Sequence, residues 1–226
     1  MRRFGKISPA GSRFFHEFPG KASFFPPFVL RFYGCSICEG GSLVKNPIFK
    51  ITLKAMLVDG LFWAGYCSFS SFIVPYLQNI GFSENAASAV MTAIATVSFL
   101  VQPLTGRLCD TRFSQKQVYL TLSACAIPLL ILLPLAAGSV PLTLLIIFGL
   151  TLAVYQVPGL VDSWILRIKK EYLALNYGIP RGTGSISFAA AAQVMGVVTV
   201  RYGHSARLLL GAGLLACSMI AALRIH

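Results

Sequence analysis

Charge is what this sequence has least of. Only 12% of its 226 residues are Asp, Glu, Lys or Arg, about half of the roughly 25% found in soluble domains. Acidic residues are scarcer still, seven against nineteen Lys and Arg. So few charges cannot clothe a water-exposed surface, which excludes an ordinary soluble domain. No paired intramembrane His or His/Asp cluster is visible, and no nucleophile–base set, so a membrane-embedded enzyme has no support. The N-terminus lacks the continuous apolar run of a secretory signal peptide. The six cysteines are scattered, at positions 35, 38, 67, 109, 125 and 217. Cys35 and Cys38 have metal or redox spacing, but no second pair or nearby His completes a site.

Apolar length stands in place of charge. Hydrophobic residues make up 56% of the chain, and the mean hydropathy is +0.73. Crossing about 30 Å of hydrocarbon takes roughly 20 helical residues. Six stretches meet that length: 55–77, 86–105, 118–138, 141–164, 183–200 and 208–223. Pro75, Pro103, Pro128, Pro134 and Pro158 fall inside or near the ends of these spans, where membrane helices tolerate proline. An all-α membrane protein follows, a bundle of six transmembrane helices.

The basic residues orient the bundle. Nine Lys and Arg lie in residues 1–54. Arg107, Arg112 and Lys116 follow the second span, and Arg167, Lys169, Lys170 and Arg181 follow the fourth. The connections after the first and third spans have none. Cations accumulate on the cytoplasmic side, so both termini are expected there; Arg201 and Arg207, after the fifth span, break the pattern. No helix carries a basic stripe with interleaved aromatics, so the net charge of +12 points to lipid rather than nucleic acid.

Residues 1–44 form a basic leader rich in Phe, Pro and Gly, without helical period, ahead of a membrane domain at 45–226. A surface-lying anchor is conceivable there but lacks an amphipathic pattern. Glu39-Gly40-Gly41 is also what a purine-rich ribosome-binding sequence encodes in frame, which would make Leu43 or Val44 the true start of a bacterial gene.

Two constellations carry chemistry. The first is Gly106-Arg107-Leu108-Cys109-Asp110-Thr111-Arg112-Phe113-Ser114-Gln115-Lys116, expected as a loop. Glycine permits a tight turn or close approach, Asp110 offers a carboxylate to a helix N-terminus or an Arg, and the cations hold the loop in the cytoplasm. This stretch resembles the loop signature of the major facilitator superfamily, in Gly106, Leu108, Asp110 and Lys116. It departs from it at Thr111, Phe113 and Gln115. The resemblance implies a gating role in conformational change for Gly106, Asp110, Arg112 and Lys116.

The second constellation is Asp162 with Arg181, flanking the fourth and fifth spans. An acid in an apolar segment faces a cavity or a partner. With Gln102-Pro103-Leu104-Thr105-Gly106 and the run 177–188, residues 45–226 resemble the N-terminal half of the lactose permease and oligosaccharide (or nucleoside)–proton symporter branch. That resemblance implies substrate-binding roles. Asp162 takes the place of a sugar-binding Glu, one methylene shorter. Arg181 matches the cation on the same sugar, Phe188 a ring-stacking aromatic, and Ser185 a small pocket-lining residue. The competing reading of Asp162 and Arg181 is a salt bridge at the membrane boundary, favoured by counting about 32 Å of helix from Pro141.

Several residues carry weaker signals. Gly182-Thr183-Gly184-Ser185 is no phosphate loop, since no strand precedes it. Gly184, Ala189–Ala192 and Gly196 instead suggest a small-residue packing face. Asp59 is a proton-linked carboxylate, a partner for Lys54 or an interface-seeking side chain, with the bland readings favoured. Gln102, Gln156, Gln193, Tyr66 and Tyr155 either line a cavity or bond between helices, and Trp63 and Trp164 either stack on a ligand or mark the interface.

The expected function is therefore secondary active transport of a sugar or similar small polar solute by alternating access, with the proton as coupling ion and no other cofactor. Six helices form one wall of a pathway, so a second six-helix half is the expected partner, as a homodimer or a separate polypeptide. The alternative is a non-transporting fragment or membrane scaffold derived from a transporter gene.

Overall fold

The structure, a computed structural model, describes residues 47–173 and 175–225. The basic leader, its boundary near residue 44, the in-frame ribosome-binding reading and the Cys35–Cys38 pair lie outside the described residues. Every regular element among the described residues is helical: α1 (Pro47–Ser70), α2 (Ile73–Asn79), α3 (Glu84–Thr111), α4 (Gln115–Leu132) with a 3₁₀ turn at Leu133–Ala136, α5 (Val140–Val154), α6 (Val157–Glu171) and α7 (Gly178–Leu223). They make five stretches long and apolar enough to cross a membrane, with α1 joining α2 and α5 joining α6 in one stretch each.

Local chemistry explains the ends. Proline lacks an N–H and its ring excludes the carbonyl four residues back. Pro75 and Pro158 therefore sit in the first turns of α2 and α6, and each follows a two-residue break, at Ser71–Phe72 and Tyr155–Gln156. After α2 the chain turns at Gly81, whose φ of +98° is open to glycine. The N–H of Phe82 reaches back to the carbonyl of Leu77 at 3.0 Å and that of Gly81 to Gln78 at 3.0 Å, a glycine-terminated helix end. Ser83 caps α3 through the N–H of Ala86. Ser114 and Gln117 exchange bonds in a capping box that starts α4.

The expected 141–164 span lies in one apolar stretch, Val140–Glu171, divided into α5 and α6 at Tyr155–Gln156, and Asp162 is in the second turn of α6. Two expectations are corrected here. The 106–116 stretch is helix through Thr111, and only Arg112, Phe113 and Ser114 separate α3 from α4. The amides of Arg112 and Phe113 still bond the carbonyl of Leu108, so the turns of α3 run on past Gly106. A Cβ at Gly106 would meet nothing within 4 Å, so this glycine serves no close approach. Arg181, expected in a connection, is inside α7, because Pro180 in the first turn is pre-set for helical φ.

The expected spans 183–200 and 208–223 both fall in α7, 46 residues in all. A straight helix of that length would run about 69 Å, more than twice the hydrocarbon thickness. It is interrupted at Gly203, with φ +83° and ψ 177°, a combination essentially reserved for glycine. Both arms of α7 pack on α1, the most extensive contact between elements. In the first arm, Thr183 and Ser187 lie against Gly60, and Gly184 lies against Asp59 and Trp63. In the second, Gly211 abuts Ser68, Leu215 abuts Gly65, and Ser218 donates to the Val58 carbonyl at 2.8 Å.

Glycines at these crossings let backbones approach. A Cβ on Gly65 would stand 3.1 Å from the Gly211 carbonyl oxygen. In lipid, helices gain little from hydrophobic transfer, so close packing and interhelical hydrogen bonds of about 0.6 kcal/mol each hold them. Tyr119 and Ser218 share such a bond at 2.7 Å, and Tyr76 donates to the Leu133 carbonyl at 2.9 Å. The small-residue face holds at Gly184, whereas Gly196 faces open space. Phe99, Leu104, Leu145 and Val200 are exposed, as apolar side chains meeting lipid would be.

Arg207, counted as a loop cation, is inside the second arm of α7 and buried. It donates from Nη1 to the Ser68 carbonyl at 2.5 Å and from Nη2 to His204 Nδ1 at 3.1 Å, beneath the ring of Phe72. The positive charge thus sits on the last turn of α1, where the helix dipole is negative. It satisfies a helix end instead of marking a side of the membrane.

Candidate functional site

Positions 59, 63 and 66 of α1 share one helical face, since residues three and four apart are neighbours. The indole N–H of Trp63 donates to Asp59 Oδ1 at 3.1 Å. The Tyr66 ring meets the Trp63 edge at 5.4 Å, and Tyr155, at the α5–α6 break, meets Tyr66 at 5.7 Å. The face is therefore one carboxylate followed by a run of aromatic rings.

Arg181 joins this face from the first turn of α7. Its guanidinium carbon lies 4.6 Å from the Trp63 ring centroid, within the range of a cation–π contact. Its Nε is 3.6 Å from Asp162 Oδ1, with both side chains about a third exposed. At that distance the two form an ion pair without a close hydrogen bond, which leaves donor and acceptor capacity on both. Seven residues along α7, Phe188 meets Trp63 at 6.0 Å in an edge-to-face arrangement. Gly184 lies between them, where a Cβ would collide with the Asp59 carboxylate and the Trp63 ring. Just before α7, burial and then the charge of Asp162 push the Tyr177 phenol up from its ordinary pKa.

The structure thus brings Asp162, Arg181 and Phe188 together around Trp63. Ser185 is exposed one turn beyond Arg181, and its hydroxyl donates to the Arg181 carbonyl at 3.3 Å. Trp63 and Asp59 are the members that sequence reasoning left undecided. The signal that would have found them is the Asp59–Trp63–Tyr66 spacing on one face. The expected pairing of Asp59 with Lys54 is corrected: Lys54 donates to the Arg224 carbonyl at 2.7 Å, and Asp59 is fully buried. Trp164 is also buried, against Tyr119 at 5.9 Å, so it is neither an interface marker nor a ligand platform.

The chemistry available is recognition. A carboxylate and a guanidinium, partly exposed and loosely paired, present acceptors and donors to hydroxyl groups. The Trp63 and Phe188 rings beside them offer apolar faces. Among the described residues no three His, Cys, Asp or Glu come together as metal ligands.

The expected gating residues lie elsewhere. Gly106 and Asp110 are in α3, Arg112 terminates it, and Lys116 opens α4. Asp110 lines a cavity of about 310 Å³ with Gln102, Gln115, Gln156 and Ser163 among others. Lys116 donates to the carbonyls of Leu223 and Ile225. With Lys54, it places two cations on the C-terminal end of α7, where the helix dipole favours them.

Against known proteins, the model of the MFS_1 like family, a major facilitator relationship, matches residues 51–226. The matched stretch contains every residue of the cluster around Trp63. No curated protein matches the chain.

Proposed function

Because the chain belongs to the MFS_1 like family, whose membership points to transport rather than catalysis, we propose that it forms one wall of a proton-coupled transporter for a small polyhydroxylated solute. One observation carries the substrate reading: the Asp162–Arg181 pair, 3.6 Å apart, stands beside the rings of Trp63 and Phe188. A sugar or nucleoside presents hydroxyls on its edge and C–H groups on its face. The pair would take the hydroxyls and the rings the apolar face, much as the resemblance to the lactose permease branch implies. Phe188 supplies a ring without an indole donor, so a galactoside preference is not part of the proposal.

The wall consists of six crossings in this reading, with α7 folding back at Gly203. The order of contacts supports it. From 183 to 188 the first arm meets α1 at 59, 60 and 63, and from 207 to 218 the second meets it at 68, then 65, then 58. The second arm runs against α1 while the first runs with it. Alternating access then needs a second six-helix unit facing the first across the site, in the same or another polypeptide. In this reading the membrane is a bacterial inner membrane and both ends of the domain are cytoplasmic, which the cations at 107, 112, 116, 167, 169 and 170 support. The stretch from Gly106 to Lys116 acts as the conformational gate.

The test is equilibrium binding of a sugar and nucleoside panel to the reconstituted full-length protein. Charge-assisted hydrogen bonds are worth about 1.5–3 kcal/mol each, so Asp162→Asn and Arg181→Ala should each weaken binding by tenfold or more on that scale. Unchanged affinity in both variants removes the site assignment.

A further inference from the structure

Asp59 is the acidic group of the site with no ion pair among the described residues. It is 0% exposed. Oδ1 accepts the Trp63 N–H at 3.1 Å, and Oδ2 is buried without a hydrogen-bond partner among the described residues. Gly184, which crowds this carboxylate, has no side chain and can offer it only a backbone N–H. The groups facing it from neighbouring elements are few. Asp162 comes from α6 and Arg181 from α7, and the Tyr119 phenol from α4 and Tyr177 before α7 are within electrostatic reach. Two carboxylates therefore share one cation, and that cation is already paired with Asp162 and seated on Trp63.

A buried carboxylate left uncompensated in a membrane domain costs several kcal/mol in effective terms, so the cluster is neutral only with one proton. We infer that this proton resides on Oδ2 of Asp59, and that Asp59 is the proton-binding residue through which solute binding in this half is coupled to proton movement. The inference rests on the transport reading above and adds a site to it. An aqueous proton forms the O–H bond on Oδ2 when the site faces one side, and the same bond breaks to release it on the other. With the proton on, Asp59 makes no demand on Arg181, which remains free for Asp162 and the solute. With the proton off, the Asp59 anion draws Arg181 across the face of Trp63 and away from the solute. Proton and solute then favour each other's binding, by equal factors in both directions, which is the thermodynamic requirement for symport.

Asp59→Asn tests this in the full-length protein in proteoliposomes. The amide keeps the oxygen that accepts from Trp63 but cannot release a proton. Solute affinity in the wild type should fall about tenfold or more as pH rises, within the usual range of site coupling. In Asp59→Asn that pH dependence should flatten, and accumulation driven by a proton gradient should be lost. Retained accumulation with a wild-type pH profile overturns the inference. Infrared difference spectra separate this from failure of the transport reading. A carboxylic-acid C=O band present in the wild type and missing in Asp59→Asn supports the proton site even if no solute in the panel binds. Absence of that band across the pH range overturns the site whatever the transport result. Thermal unfolding of the variant in detergent checks that it is folded.

Discussion

Trp63 joins Asp59 and Arg181 through different parts of one ring. Its N–H donates to Asp59 at 3.1 Å, and its face carries the Arg181 guanidinium at 4.6 Å. A residue that touches a buried acid with its edge and a partly exposed cation with its face links the interior of α1 to the Asp162–Arg181 pair. Substitutions can separate the two contacts.

Trp63→Phe retains a ring for Arg181 and loses the N–H to Asp59, whereas Trp63→Leu loses both. Cation–π contacts are worth about 0.5–2 kcal/mol. Solute dissociation constants should therefore rise only a few-fold in Trp63→Phe and further in Trp63→Leu, measured by equilibrium binding. Equal effects of the two variants would mean that the ring face contributes nothing.

Gly184 and Gly196 lie on the same arm of α7 but meet different surroundings. Gly184→Ala forces a methyl into the Asp59 carboxylate and the Trp63 ring, and overpacking of this kind costs about 1–3 kcal/mol. Gly196→Ala enters open space in a helix interior, where Ala is better than Gly by roughly 0.5–1 kcal/mol. Thermal unfolding in detergent should show the first lowered and the second unchanged or raised.

Gly203→Ala is expected to destabilise without touching any side chain. No neighbour stands within 4 Å of its would-be Cβ, so the penalty is conformational, about 1–3 kcal/mol for this backbone region. A lowered unfolding midpoint for Gly203→Ala, beside an unchanged or raised one for Gly182→Ala in a normal helical conformation, would locate the cost in the backbone.

Lys116→Met should remove the bonds to the carbonyls of Leu223 and Ile225. A cation on a helix C-terminus is worth about 0.3–1 kcal/mol, so a small loss of thermal stability is expected, and it should diminish at high salt. A salt-insensitive loss would point to packing of the lysine stem.

Composition alone was enough to exclude water as the main solvent, because a low charge fraction is a property of the whole chain and needs no geometry. Apolar runs located the spans, yet their ends moved. The first helix begins at Pro47 rather than Ala55, and α3 runs on to Thr111, since intrahelical bonds continue wherever no residue forbids them. Proline marked the interruptions at Ser71–Phe72 and Tyr155–Gln156, but a sequence does not say which prolines break a helix. Pro103 and Pro128 lie inside continuous helices.

For the site, Asp162, Arg181 and Phe188 were legible through resemblance, and their meeting around Trp63 was not. Asp59 is the sharpest case. Lys54 stands five residues before it on α1, which made that pairing reasonable along the chain. Folding sends Lys54 to the end of α7 and encloses Asp59 behind Gly184. Sequence by itself determined the solvent and the approximate apolar spans, because these follow from composition and one-dimensional spacing. Tertiary structure alone decided which acid is paired with a cation and which is left buried without one, because that depends on helices far apart in the chain packing within a few ångströms.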